Sequence, residues 1–193
     1  MFLGEGIFTQ DGPKWKHSRD LLRRPFTRIG YQDLRGFSEH VDDLLSRLSA
    51  SSHQKTVVDL QPMFFRLTLA TTTALIFGQP VKSLEGEAHD TFSSSFDYAS
   101  LITAIRLRLS ELYWLYTPLR YRTACENVKR YALDFVKQAL AHRNDDSEVS
   151  QDKYVFVEDL YEELHDPELV RDQLTHVLLA GRDTTACLLS WTL

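Results

Sequence analysis

Cysteine, glycine and proline are all scarce in this sequence, and each shortage excludes something. Two cysteines, Cys125 and Cys187, cannot build a disulfide framework or a four-thiolate zinc site, and such sparing use fits a reducing compartment. Eight glycines and six prolines in 193 residues are too few for the many tight turns of an all-β sandwich. Long hydrophobic runs are missing as well. The most apolar stretch, Leu67 to Phe77 (LTLATTTALIF), is about half of the ~20 residues that a membrane-spanning helix needs. The opening MFLGEGIFTQDG has neither a basic start nor a long apolar core, so it does not read as a signal peptide. Gly6 to Thr9 reads instead like the middle of a fold, as though the chain were a piece. Basic charge is not in excess: 22 Lys+Arg against 27 Asp+Glu leave a net charge of −5, which repels a nucleic-acid backbone. The seven histidines are scattered, with no pair at the spacing of a helical metal site. Gly4-Glu5-Gly6 opens like a dinucleotide fingerprint but lacks the third glycine and a βαβ context.

What is present is an ordinary globular composition, 43% hydrophobic and 25% charged, enough for one folded unit. The patterning is overwhelmingly helical, with no internal repeat. Pro13 opens a helix from Lys14 to about Leu22, which Pro25 is expected to end. Leu34, Phe37, Val41, Leu44, Leu45 and Leu48 recur at helical spacing over Tyr31 to Leu48. A polar loop from Ser49 to His53 and a β-like patch of branched residues at Thr56 to Leu60 follow. A third helix runs from Pro62 to Phe77 and stops at Gly78, with Phe64, Leu67, Leu75 and Ile76 expected to be buried. After a loop over Gln79 to Gly86, helical patterns span Ala88 to Leu107 and Tyr121 to His142, the latter with Val128, Tyr131, Phe135 and Leu140 inward. An aromatic-rich stretch, Ser110 to Pro118, lies between them. Beyond a charged loop, Asn144 to Lys153, a short helix covers Val157 to Glu163. Asp166-Pro167 caps the last helix.

That last helix carries the sharpest signal. Its two ends are apolar enough to be buried, yet its centre reads Ala180-Gly181-Arg182-Asp183-Thr184-Thr185. Glycine costs about 1 kcal/mol against alanine inside a helix, and Asp and Thr about half that each, large beside a domain's net stability of ~5–15 kcal/mol. An Arg-Asp pair at such a place needs partners. The small pair Ala180-Gly181 admits something flat close to the backbone, and Asp183 beside Thr184 sets an acid next to an alcohol, a combination suited to proton delivery. The alternative is a glycine-hinged helix whose Arg182 and Asp183 point outward as a surface salt bridge. In the first helix, Trp15 and Arg19 are four apart and share a face, so an indole N–H and a guanidinium could both donate to one carboxylate. The alternative there is a cation–π pair needing no ligand. Lys14, Lys16, Arg19, Arg23, Arg24 and Arg28 cluster on and just after the same segment, as a solvated helix face, the reading composition favours, or as a basic patch able to meet an anionic group or an acidic protein face.

Together these two segments resemble the cytochrome P450 monooxygenases. Trp15 and Arg19 match that family's C-helix signature W-x-x-x-R, and Ala180 to Thr185 match its I-helix signature [AG]-G-x-[DE]-T-[TS]. The strings GIFTQDGPKWKHSR and LLAGRDTTACLLSW look most like the fungal alkane and fatty-acid ω-hydroxylase branch, and Asp59 to Thr68 is similar to its E-helix region. The resemblance covers the whole chain and implies an all-α fold with at most a short β patch. Residues 1–193 would be a partial P450 domain, from C-helix through I-helix, with no complete second domain. It further implies haem as cofactor, with Trp15 and Arg19 holding a propionate and Ala180, Gly181 and Thr184 along the haem groove. Asp183 and Thr184 would be the catalytic acid–alcohol pair. The stretch Tyr98 to Tyr121 would fall in the lid through which a hydrophobic substrate passes. Electrons would come from NADPH through a cytochrome P450 reductase docked near the basic patch.

No metal ligand is implied within this chain. The family's axial cysteine lies in a Phe-x-x-Gly-x-Arg-x-Cys-x-Gly segment that the sequence does not contain, and neither Cys125 nor Cys187 has those flanks. The chain by itself is therefore expected to be inactive, since thiolate ligation drives O–O cleavage. The family implies the cytosolic face of the endoplasmic reticulum membrane, reached through an N-terminal anchor absent here, whereas this piece alone would be soluble and cytoplasmic. One rival is a truncated, catalytically inactive helical interaction protein derived from a P450 gene. Another is an unrelated helical domain with coincidental motifs, which predicts that the two motifs face apart.

Overall fold

Helical periodicity, weak glycine and proline punctuation and several long amphipathic stretches produce a helical assembly, with no strand among the described residues. The computed structural model describes residues 2–28, 35–52, 57–78, 87–142 and 155–192. Its helices are α1 (Gly12–Arg28), α2 (Arg35–Ser52), α3 (Gln61–Phe77), α4 (Glu87–Arg108), α5 (Leu119–His142), α6 (Val155–Leu164) and α7 (Pro167–Thr192), with a short 3₁₀ segment, Ser110–Leu115, between α4 and α5. The loops expected at Gln79–Gly86 and Asn144–Lys153 lie outside the described residues.

α7 is the axis around which the rest packs. Asp166 accepts the Glu168 backbone N–H at 2.8 Å and starts the helix as the sequence predicts. From Val170 to Leu178 every residue is buried, packed among α3, α5 and α6. Its C-terminal end differs from expectation: Leu188 and Trp191 are exposed. α3 lies along α7, and three of its threonines return their hydroxyls to their own helix, Thr68 to Phe64 O at 2.9 Å, Thr71 to Leu67 O at 3.0 Å and Thr73 to Leu69 O at 2.7 Å. Satisfied in this way, a threonine-rich helix enters a core without orphaned hydroxyls. Gly78 ends α3 in the left-handed conformation (φ 69°), as expected of a glycine there. Leu67 is only half-buried and Leu75 is exposed, because Leu75 faces a cleft described below.

α4 and α5 pack on each other through Phe92, Phe96, Val128 and Val136, all fully buried. The turn between them is stapled by the buried Arg106. Its guanidinium donates to Tyr116 O at 2.9 Å and to Thr117 Oγ1, and lies over the Tyr113 and Tyr121 rings. Burial raises the Tyr121 phenol above its ordinary range.

Three local expectations are corrected. α1 runs on through Pro25 to Arg28. A proline forfeits one helical hydrogen bond, and here that loss is offset by burial of Pro25 and by Phe26 meeting Phe156 of α6 edge-on at 5.1 Å. Ser49 to Ser52 continue α2. Of the β-like patch, residues 57–60 form no strand and Val57 stands fully exposed: branched residues favour a sheet only when a neighbouring strand receives them.

The segment before α1 is a strap across the first half of α7. Glu5 N–H donates to Asp172 Oδ2 at 3.1 Å, and Phe8 N–H donates to His176 Nδ1 at 3.1 Å. Two glycines make the approach possible. Gly4 has φ 70°, and a Cβ there would sit 1.9 Å from the Asp172 carboxylate; one on Gly6 would sit 2.7 Å from the His176 ring. Asp172 is further held by Arg171 at 2.8 Å, with Lys129 at 4.0 Å. Gln173 donates to Ser18, which donates to Gln10. The strap and α1 thus meet Asp172, Gln173 and His176 of α7, while Gln173 Oε1 and His176 Nε2 stay buried without a partner among the described residues.

His176 is fully buried, and burial lowers its pKa from 6.5 to about 4, against the pull of Asp172 and of the Leu3 backbone. With the folded-state value below the unfolded one, the stability that neutral His176 contributes is complete above about pH 6.5 and is lost as pH falls toward 4. The loss by pH 4 is on the order of 3 kcal/mol. We predict that hydrogen-exchange protection of the Phe8 amide falls between pH 7 and pH 5 after correction for intrinsic rates. Substitution His176→Gln should flatten that dependence; an unchanged pH slope in the variant would show that another group is responsible.

Candidate active site

The two sequence signals meet at one cleft. α1 contributes Arg19, Leu22, Arg23 and Phe26, the strap Ile7 and Phe8, α3 Thr72 and Leu75, and α7 His176, Val177, Ala180 and Gly181, around a space of about 490 Å³. Its walls are almost wholly apolar, and Arg19 and Arg23 are the arginines among its described lining residues. Surfaces facing apart, as coincidental motifs predict, are not what the fold produces.

Within this cleft the expected residues divide. Arg19 lines it, whereas Trp15 does not: the Trp15 ring carries the Arg19 guanidinium at 5.6 Å, as a cation–π pair. The geometry is that of the cation–π alternative, which needs no ligand. Ala180 and Gly181 form the α7 wall. Gly181 owes its small size chiefly to packing, since a Cβ there would come 2.9 Å from Thr72 Oγ1 and 3.0 Å from its methyl. Thr184 lies one turn beyond, exposed, donating to Ala180 O at 2.5 Å, and so touches the backbone of the cleft wall.

Arg182 and Asp183 line a second cavity of about 580 Å³, which shares none of its described lining residues with the first. The outward salt bridge does not form, because Arg182 is only 3% exposed. Its guanidinium lies over Phe65 at 4.8 Å and Phe96 at 5.2 Å, and it bridges Asp97 of α4 and Asp183 Oδ1, the latter at 2.8 Å. Burial pushes the Asp183 carboxyl above its ordinary range, outweighing the opposing pull of Arg182, and the charge of Asp97 adds to the rise. Sequence reasoning missed Asp97. The only available signal was an Asp among the apolar residues of α4, and that spacing does not reveal which residue of another helix it meets.

Of the stretch Tyr98 to Tyr121, Ser100, Leu101 and Ala104 line the second cavity with Arg182 and Asp183. Leu107, Leu112, Trp114, Leu115 and Leu119 expose more than half of their surface, forming an apolar patch at the turn between α4 and α5. Neither cysteine lines the cleft: Cys125 is buried in α5 and Cys187 is exposed on α7. No helix among the described residues is long and apolar enough to cross a membrane.

A comparison with known families closes the question of kinship. The sequence model of "Cytochrome P450" matches residues 1–193. This chain belongs to the cytochrome P450 family. It is 42% identical, over its whole length, to a cytochrome P450 of Arthroderma benhamiae. It is 36% identical over 98% of its length to cytochrome P450 monooxygenase g430 of a Fusarium species, and likewise to cytochrome P450 52A4 of Candida maltosa. The chain spans 39%, 36% and 37% of those three relatives. The all-α architecture fits the P450 family.

The close approach at Gly181 yields a test. Substitution Gly181→Ala should destabilise by roughly 1–3 kcal/mol through overpacking against the stiff, β-branched Thr72. In a Thr72→Ala background the same change should become neutral or stabilising, because alanine is ~1 kcal/mol the better helix former. Denaturant unfolding of the four proteins reads the cycle, and additive effects would mean that the helices do not meet at this point.

Proposed function

We propose that this chain is the central part of a haem-thiolate monooxygenase. The whole enzyme would insert one oxygen atom of O₂ into a C–H bond of a hydrophobic substrate, with the long-chain alkanes and fatty acids as the favoured class. The second oxygen atom leaves as water, formed with two electrons from NADPH and two protons. The observation that carries this reading is the convergence of Arg19, Ala180 and Gly181 on one apolar cleft. Apolar walls with guanidiniums at hand suit a flat apolar macrocycle bearing anionic propionates. When bound, the haem supplies dioxygen activation and C–H oxidation, with the thiolate ligand coming from elsewhere in the whole protein.

The remaining steps belong to the chain's own residues. Arg19, steadied by Trp15, holds a propionate. Ala180 keeps the α7 wall low enough for the ring to lie against it. Asp183 takes up a proton from solvent readily, because its burial favours the neutral carboxyl. Thr184, whose hydroxyl sits on the Ala180 carbonyl, hands the proton on toward the cleft. The exposed apolar turn between α4 and α5 forms the lid that a hydrophobic substrate crosses. Exposed Lys14, Lys16 and Arg23 offer an NADPH–cytochrome P450 reductase a basic docking face, on the cytosolic side of the endoplasmic reticulum membrane.

In the haem-loaded full-length protein, Thr184→Ala should lower product formed per NADPH several-fold while leaving NADPH consumption largely intact. Unchanged coupling would remove Thr184 from the proton path. Arg19→Ala should speed haem loss to an acceptor such as apomyoglobin, with Arg19→Lys intermediate, and equal rates in all three proteins would remove the propionate assignment.

A further inference from the structure

The geometry points to Asp97 as a positioning residue for Asp183: it takes one arm of the Arg182 guanidinium and so leaves Asp183 only partly neutralised. This inference rests on the reading of Asp183 as the proton-accepting acid. An arginine neutralises a carboxylate best through two parallel N–H···O bonds. Arg182 makes no such pair with Asp183. One terminal nitrogen donates to Asp183 Oδ1 at 2.8 Å, the other donates to Asp97 on α4, and the buried Nε has no partner among the described residues. Phe65 and Phe96 hold the guanidinium plane from the two neighbouring helices, so it has little freedom to rotate toward either carboxylate.

The consequence is a shared cation. Two carboxylates compete for one guanidinium in a part-buried site, and the loser keeps a proton more readily. Asp97 is half-exposed, its side chain at 55%, whereas that of Asp183 is at 32%. Desolvation therefore falls more heavily on Asp183. Arg66 of α3, Asp97 of α4 and Arg182 of α7 are the other charged groups among the described residues lining this cavity. Arg66 is exposed, and its influence on Asp183 is screened by solvent. Asp97 sits on α4 and Asp183 on α7, so the shared cation links the acid to a second helix.

The test is a double-mutant cycle read by carboxyl ¹³C NMR in aspartate-labelled, haem-loaded full-length protein, with Asp183 assigned through Asp183→Asn. Asp97→Asn should lower the Asp183 titration midpoint by roughly half to one pH unit, a three- to tenfold loss of proton affinity. The pH profile of product per NADPH should move acidward by the same amount. Asp97→Glu, which keeps the charge, should restore the original midpoint. With Arg182→Gln in place, the effect of Asp97→Asn should shrink to the direct repulsion between the two carboxylates, since the shared cation is gone. Equal shifts in both backgrounds, or lowered thermal stability with an unmoved midpoint, would overturn the inference and leave a structural ion pair. If instead the midpoint shifts as expected but Asp183→Asn leaves coupling unchanged, the positioning role stands and the relay reading fails.

Discussion

Everything near the cleft depends on how closely α3 can approach α7. That approach is made at Gly181, where Thr72 occupies the space a side chain would fill. Once the two backbones are this near, the neighbouring positions of α7 have little choice. Ala180 faces the cleft beside α1, while Arg182, next along the helix, turns toward α3 and α4. A single packing contact thus separates an apolar chamber from a polar one along one helix. The glycine looks like a concession to a flat ligand, but its first role is to let two helices meet. The low α7 wall beside it follows from that packing.

The polar chamber has to hold a buried guanidinium. Leaving such a group without partners costs several kcal/mol, and pairing recovers that only where geometry and hydrogen bonds are good. Here two carboxylates and two aromatic faces surround Arg182. The arrangement is adequate for stability and imperfect as an ion pair, and the imperfection leaves Asp183 able to carry a proton. The other half of α7 faces the same problem and answers it differently. Arg171, Asp172, Gln173 and His176 are all buried; Arg171 pairs with Asp172 and Glu168 of its own helix, and the other three take partners from the strap and α1. The strap brings Ile7 and Phe8 to the cleft at the same time, so the hydrogen bonds that settle α7 also build one wall of the chamber.

Much of this was legible from periodicity and punctuation. The end of α3 at Gly78, the cap of α7 at Asp166 and the inward face of α5 follow from local rules, and the structure keeps them. Local rules failed where tertiary contacts decide. Pro25 did not end α1, because its ring is buried and Phe26 is anchored on α6. Residues 57–60, before α3, formed no strand, because none among the described residues lay beside them. For the site, the spacing of Trp15 and Arg19 and the run from Ala180 to Thr185 located the right segments. Spacing alone did not assign Trp15 to the back of Arg19 instead of the cleft, and it concealed Asp97 and Thr72 altogether. Both belong to other helices, and their importance arises only from the pairing of α3 and α4 with α7.

The central claim is that the α1–α7 cleft is the haem chamber and Arg19 its propionate donor. An experimental structure of the haem-loaded full-length protein tests this most directly. The account predicts a propionate oxygen within hydrogen-bond distance of the Arg19 guanidinium, with the macrocycle lying against Ala180. A haem seated elsewhere, with the Arg19 guanidinium still resting only on Trp15, would contradict it.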